Sequence, residues 1–242
     1  MKTVPEQIIT PENLSRFCYT NAPLLKRDLR GVILTFHGRG EPGFLSHSPF
    51  SKELAEKGLI QIFPYYGPWA WMNSGAVKIT DALVSAVYER WAGGKDVPLV
   101  CEGGSMGGLA ALIYPVLGCR KPAAAAANCP ACDLVHHFSA RKDLPRYFLC
   151  AYGGGGEASL QETLKRRSPM HRINDMPDIP FLLVHGLSDR VIEAAPNSER
   201  FCALMEQAGK NARYVPVEGM GHCDMPPGVS KEYYDFILSF FE

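Results

Sequence analysis

Long hydrophobic runs are missing from this chain. Nothing in it approaches the roughly 20 apolar residues of a membrane-spanning helix. The opening MKTVPEQIITPENLSRF has no apolar centre of the kind a secretory leader needs. Runs of one charge are missing too: 25 Lys and Arg stand against 25 Asp and Glu, a formal net charge of zero. Without a basic stripe, neither nucleic acid nor an anionic membrane is an expected partner. The 8 cysteines (18, 101, 119, 129, 132, 150, 202 and 223) lack framework spacing, and several sit in apolar runs where a free thiol packs as a small hydrophobe. A reduced, cytoplasmic protein is expected. There are no internal repeats.

What is present suffices for one substantial core. With 46% of 242 residues hydrophobic, a single domain over 1–242 is expected. Val32–Phe36, Leu59–Phe63, Leu99–Cys101, Ala123–Ala127 and Phe181–Val184 read as strands buried on both faces. Between them Ser48–Lys57, Ala76–Trp91, Met106–Leu117 and Asn197–Ala208 read as helices. Arg213–Val217 supplies a last strand and Lys231–Phe241 a closing amphipathic helix. Such alternation predicts an α/β fold, a mostly parallel sheet with helices on both faces. The rhythm breaks over 133–178, where two histidines, the basic cluster Lys165, Arg166 and Arg167, and the glycines of 153–156 predict a small cap-like helical insertion with a mobile loop.

The densest signal is PLVCEGGSMGG at 98–108, where an apolar run ends in glycines around one serine. Gly103-Gly104-Ser105-Met106-Gly107 fits G-x-S-x-G, a sharp strand-to-helix turn that holds the serine at its tip. A phosphate-binding turn of the Walker type would need Lys and then Ser or Thr after the glycines, and Met106 follows the serine here. A serine hydroxyl is a weak nucleophile until a base takes its proton, and the base needs an acid to hold its tautomer. Both follow later strands. Phe181–Val184 runs into His185-Gly186-Leu187-Ser188-Asp189, and the last strand into Glu218-Gly219-Met220-Gly221-His222. The order Ser105, Asp189, His222 meets the requirement, with Glu193 as the alternative acid. Backbone N–H groups of Met106, at a helix start, and of Arg39, in the loop after the first parallel strand, are the expected donors to an oxyanion.

With these motifs the chain resembles the α/β-hydrolase superfamily over nearly its whole length, in particular the prolyl-oligopeptidase and dienelactone-hydrolase type. The resemblance rests on His37-Gly38 after a strand, on GGSMGG, on SPMHRINDMPDIPFLLVHGLSDRVI and on GMGH. It implies an eight-stranded, mostly parallel sheet, a Ser–His–Asp triad and hydrolysis of an ester, thioester or amide. On this sequence those roles fall to Ser105 as nucleophile, His222 as base then acid, and Asp189 as orienting partner, with the Arg39 and Met106 N–H groups as oxyanion donors. The oligopeptidases of the family carry an additional propeller domain for which this chain has no room, which turns the expectation from peptides towards esters.

The function expected is cleavage of a small carboxylic ester through an acyl-enzyme, with no cofactor and no metal. A peptidase acting on short peptides, an acyltransferase and a silent binding scaffold are the alternatives. Tyr65, Tyr66, Trp69 and Trp71 are candidates for an aromatic substrate pocket or for a satellite core, and Asn128 to Cys132, Cys129 included, for the pocket floor. Cys129-Pro130-Ala131-Cys132 with His136 and His137 has half the ligands of a structural zinc site and no second pair. His37 and His185 are expected to brace backbone. Glu102, unusual in a strand entering a turn, is expected to meet a cation. Arg39, Arg141 and Arg146 favour an anionic substrate. Oligomeric state is left open.

Overall fold

In the computed structural model, which describes residues 8–40, 45–153 and 156–242, the buried apolar runs pair into one sheet of seven strands. They are β1 (Cys18–Thr20), β2 (Gly31–Phe36), β3 (Leu59–Pro64), β4 (Leu99–Gly104), β5 (Ala124–Asn128), β6 (Phe181–Gly186) and β7 (Ala212–Val217). The order is β1-β3-β2-β4-β5-β6-β7. Only β1 runs antiparallel to its neighbour; every other pair is parallel. From β2 the chain moves outward to β3, then crosses to β4 on the other side of β2. This reversal opens a crevice at the carboxyl ends of β2 and β4, the place where open α/β sheets bind ligands.

Alternate side chains of each strand enter two separate cores. Val32, Leu34 and Phe36 pack with α2 (Ser74–Trp91) and α3 (Met106–Leu117), whereas Ile33 packs towards α1 (Pro49–Glu56) and α8 (Pro227–Leu238). Period-2 alternation with both faces apolar is why these runs read as continuously hydrophobic. Met106–Tyr114 of α3 are all buried, as a helix lying under the sheet's centre requires. Local chemistry sets the helix starts: Ser48 Oγ accepts the Ser51 N–H (3.1 Å) ahead of Pro49, and Asn73 Oδ1 accepts the Ala76 N–H (2.9 Å). Alanines fill β5 because α3 and α8 both press on it; the Tyr233 hydroxyl of α8 reaches the Ala126 carbonyl at 3.1 Å.

Seven strands stand among the described residues where eight were expected. The segment before β1 turns instead: Thr10 N–H donates to Asn13 Oδ1 (2.9 Å), and a short 3-10 helix follows at Leu14–Arg16. Segment 133–178 carries α4 (Leu134–Ala140), α5 (Leu144–Tyr152) and α6 (Glu157–Arg167). The loop expected at 153–156 falls in part on Gly154 and Gly155, outside the described residues. The helix expected from Asn197 starts later, as α7 (Arg200–Gln207), after a π-helical turn over Ala195–Glu199. No described helix is long and apolar enough to cross a membrane.

Glu102 meets no cation among its described partners. It accepts the Tyr233 hydroxyl (3.3 Å), and burial pushes its carboxyl above the usual range against hydrogen bonds from Thr35 and Tyr233. It is a core polar group beneath α8 rather than part of the crevice.

The strand-to-helix turn leaves no room for side chains. A Cβ on Gly107 would collide with the Phe36 carbonyl, and one on Gly108 would lie 2.9 Å from Pro130 Cβ. Replacing Gly107 by Ala is expected to cost about 1–3 kcal/mol through overpacking against a backbone that cannot yield. An unchanged urea midpoint would show that β2 and α3 are not so close.

Candidate active site

Ser105 links β4 to α3 with φ 59° and ψ −121°, a left-handed conformation that is strained for a residue with a Cβ. The turn is held from both sides. Ser105 N–H donates to the Asn128 carbonyl of β5 (2.9 Å), and a Cβ on Gly103 would lie 2.6 Å from the Gly107 carbonyl oxygen. Two glycines thus let β4 enter the helix at once, leaving the serine side chain at the mouth of the crevice.

Asp189 and His222 come from the loops after β6 and β7, which are stapled together. Leu187 N–H donates to Val217 O (3.0 Å) and Ser188 N–H to Met220 O (3.1 Å). Asp189 Oδ1 accepts the N–H groups of Val191 (2.8 Å) and Ile192 (3.0 Å), which aims Oδ2 at His222. His222 Nδ1–H donates to Asp189 Oδ2 at 2.7 Å, and Ser105 Oγ lies 3.0 Å from Nε2 on the far side of the ring. With Nδ1 protonated, Nε2 carries the lone pair that can accept the serine proton. Glu193 does not take this place; it faces a neighbouring cavity.

Burial would raise the Asp189 carboxyl, but hydrogen bonds from His222, Ile192 and Val191 hold it below the usual range. Burial would likewise lower the His222 imidazole. Hydrogen bonds with Cys129 and Asp189 and the negative charge of both outweigh it, so His222 is raised.

The two supporting histidines stand as expected. His37 Nδ1 bonds the Gly38 carbonyl (2.7 Å) and its ring lies 4.2 Å from that of Tyr66. His185 is fully buried, with Nδ1 on Ser198 Oγ (2.6 Å) and Nε2–H donating to the Ile192 carbonyl (2.9 Å), so it pins the Asp189 loop. The Gly38–Arg39 loop passes directly over the serine: a Cβ on Gly38 would lie 4.0 Å from Ser105 Cβ. Met106 opens α3, where an N–H has no acceptor within the helix.

A cavity of about 420 Å³ lies on Ser105, lined by Gly38, Arg39, Gly104, Val191, His222 and Cys223. A second, of about 430 Å³, shares Arg39 and Val191 with it and adds His136, His137, Arg141, Arg190, Glu193 and Asn197. Helix α4 and the residue after it therefore border the site. Asp143 is shared by Arg39 Nη1 (2.8 Å) and Arg141 Nη2 (2.9 Å), and the Arg141 hydrogen bonds hold its carboxyl far below the usual range, with Arg39 adding to them against partial burial. His137 is kept neutral, pulled down to about 4 by burial and by His136 and Arg141.

The aromatic candidates are not on the serine. Tyr66 and Trp71 are core residues, Trp71 edge-on to Phe148. Tyr65 accepts the Leu45 N–H through its hydroxyl (3.2 Å). Trp69 is exposed, stacks on Tyr147 at 5.4 Å and borders a separate cavity of about 370 Å³. Tyr66 and Trp71 turn into the core while Tyr65 and Trp69 turn out of it, and the chain bends at Trp71 and Met72, both at positive φ.

Cys129 and Cys132 also diverge, onto opposite faces of the sheet, so they form no paired thiol site. Cys129 lies instead beneath His222, where Cys223 N–H donates to its Sγ at 3.4 Å. The hydrogen bond from the Cys223 thiol pulls Cys129 down despite burial and pushes Cys223 up. Arg190 and Val191 lie in the GLSDRVI stretch without an expected role, and Cys223 had no motif to mark it; Arg190 and Cys223 each directly follow an expected site residue.

Solved structures share this architecture. The chain superposes on acylaminoacyl peptidase from Pyrococcus horikoshii with a TM-score of 0.70 and 16% identity, over 89% of this chain and 37% of that one. A truncated carbohydrate esterase from gut microbiota gives 0.69 at 17% identity, covering 89% and 87%. An esterase from Thermogutta terrifontis gives 0.61 at 20%, covering 88% and 81%. The chain thus spans about a third of the length of the peptidase and most of the length of the esterases. At these identities the likeness speaks for the fold, and the fold is that of the α/β-hydrolases. No curated protein sequence matches the chain. The sequence profile of the prolyl oligopeptidase family does match, over residues 82–242, and the chain belongs to that family of serine hydrolases.

The His222 ring is expected to titrate above about 6.5, the ordinary imidazole value, in the NMR spectrum of the full chain. Asp189→Asn removes a negative acceptor and should move that midpoint down. A midpoint unaffected by the substitution would detach the carboxylate from the ring.

Proposed function

We propose that the protein hydrolyses small carboxylic esters through an acyl-enzyme on Ser105. The observation that carries this is the continuous line from Ser105 Oγ through His222 to Asp189, at 3.0 and 2.7 Å. His222 Nε2 takes the serine proton as Oγ attacks the ester carbonyl. The oxyanion is met by the N–H groups of Arg39 and Met106, each contributing on the order of 3 kcal/mol to the transition state. The imidazolium, stabilised by Asp189, then protonates the departing alkoxide. Water enters, loses its proton to Nε2, and releases the acid. Segment 133–178, in a chain we take as one domain, forms the cap-like wall of the acid's pocket.

The lining of that pocket favours a negatively charged acyl group. Arg39, Arg141 and Arg190 face it, and of the two nearby carboxylates Asp143 is already spent on Arg39 and Arg141. A peptide's terminal ammonium would meet three guanidiniums there against two carboxylates, Asp143 and Glu193, a surplus of positive charge. Hydrolysis of short peptides is the second reading, supported by the family match and by the peptidase among the structural relatives.

The test is hydrolysis of p-nitrophenyl esters from acetate to decanoate, together with the half-ester of a short dicarboxylic acid. Ser105→Ala should lower kcat on the order of 10⁴-fold or more. Turnover that survives in the variant would remove the serine from the chemistry. Arg39→Ala keeps the backbone N–H, so it should spare acetate and weaken the anionic half-ester; equal losses on both would reject the anionic pocket.

Because the base must be neutral and its imidazole is raised, kcat/KM should climb with pH through a midpoint above about 6.5. A limb well below that value would contradict His222 as the base.

A further inference from the structure

We propose that Cys129, Cys223 and His222 form a binding site for a soft divalent cation, zinc or cadmium, which competes with the serine for the same imidazole nitrogen. Two thiols and the His222 ring converge here: one ligating atom from each lies within 4.8 Å of the others, and Cys223 Sγ is 3.8 Å from Nε2. Tetrahedral zinc with bonds of about 2.3 Å to sulfur and 2.0–2.1 Å to nitrogen places neighbouring ligands about 3.5–3.8 Å apart. Cys223 Sγ and Nε2 stand at that spacing before any ion arrives, and Cys129 Sγ completes the group within 4.8 Å.

Chemistry and access agree with the geometry. Asp189 accepts the Nδ1–H of His222 at 2.7 Å, leaving the Nε2 lone pair outward; a carboxylate behind a histidine in this way is the usual support of a metal ligand. Cys223 lines the open cavity on Ser105, so an ion has a way in. The other nearby group, Cys129 with His185 and Asp189, is unavailable. His185 has both nitrogens committed to Ser198 and Ile192, and Asp189 has both oxygens committed to N–H groups. The site depends on the fold, since Cys129 and Cys223 are far apart in sequence and both stand at positive φ, 46° and 60°.

Both sulfurs bind as thiolates, any remaining thiol proton passing to solvent, and two metal–sulfur bonds and one metal–nitrogen bond form; water fills the fourth position. Nε2 can then no longer take the Ser105 proton. This loss of turnover rests on the hydrolase proposed above, whereas metal binding does not.

The experiment is a cadmium titration of the full chain carrying Cys119→Ser and Cys150→Ser, which removes the two exposed thiols, in a phosphine reductant. One cadmium per chain should bind, with a thiolate-to-cadmium ultraviolet band and an X-ray absorption shell of two sulfurs and one nitrogen. Adding Cys129→Ser or Cys223→Ser should each weaken binding tenfold or more. A shell with one sulfur or none overturns the site, even if a substituted chain fails to fold. Binding unchanged by both substitutions overturns it equally. Should the two-sulfur shell form in a chain whose turnover does not depend on Ser105, the metal site stands and the hydrolase mechanism falls.

Discussion

The structure depends on one close approach, that of the β4–Ser105–α3 turn to the end of β2. Atoms at van der Waals distance on both sides leave space for hydrogen only, at Gly103, Gly107 and Gly108. Once those backbones touch, Ser105 has one place to be, over the amide-rich start of α3 and under the Gly38–Arg39 loop. Its left-handed angles are tolerated because β5, through the Asn128 carbonyl, holds the same turn from behind. The rest of the site is arranged around a serine that cannot move.

Electrostatics then separates two tasks. Asp189 is buried and saturated with donors, so it stays ionised and fixes the His222 tautomer. Charge outside the line of three is partly neutralised: Asp143 ties Arg39 to Arg141, and a net positive wall remains beside Ser105. Cys129 and Cys223 complicate this division. They lie against the same imidazole, so His222 is raised by Cys129 as well as by the Asp189 carboxylate.

Much of this was legible in the chain. Parallel strands buried on both faces announce themselves as apolar runs, and β2 through β7 lie within a few residues of their expected spans. A nucleophile turn is legible because its steric demand removes side chains from consecutive positions. Asp189 and His222 were legible from position, each in the loop that ends a strand at the same edge. The three-residue β1 was not, because it pairs only at the sheet's margin and carries too few side chains to show a period. The aromatic loop misled for a related reason: composition reports that Tyr65, Tyr66, Trp69 and Trp71 are large and apolar, but not that the loop's path puts Tyr66 and Trp71 in the core.

Sequence by itself determined the parallel strands β2 to β7, the chain order of Ser105, Asp189 and His222 and the glycines that let the serine turn form, because these follow from local sterics and periodicity. Only the tertiary structure decided what shares the crevice with them. Cys129 and Cys223 meet through two loops that end non-adjacent strands, Arg39 and Arg190 arrive from loops after β2 and β6 and Arg141 from the end of α4, and Cys132 departs from its near neighbour to the opposite face. Such meetings depend on strand order and loop path, and the pairing of distant backbones that sets both leaves no mark on either residue's own neighbours.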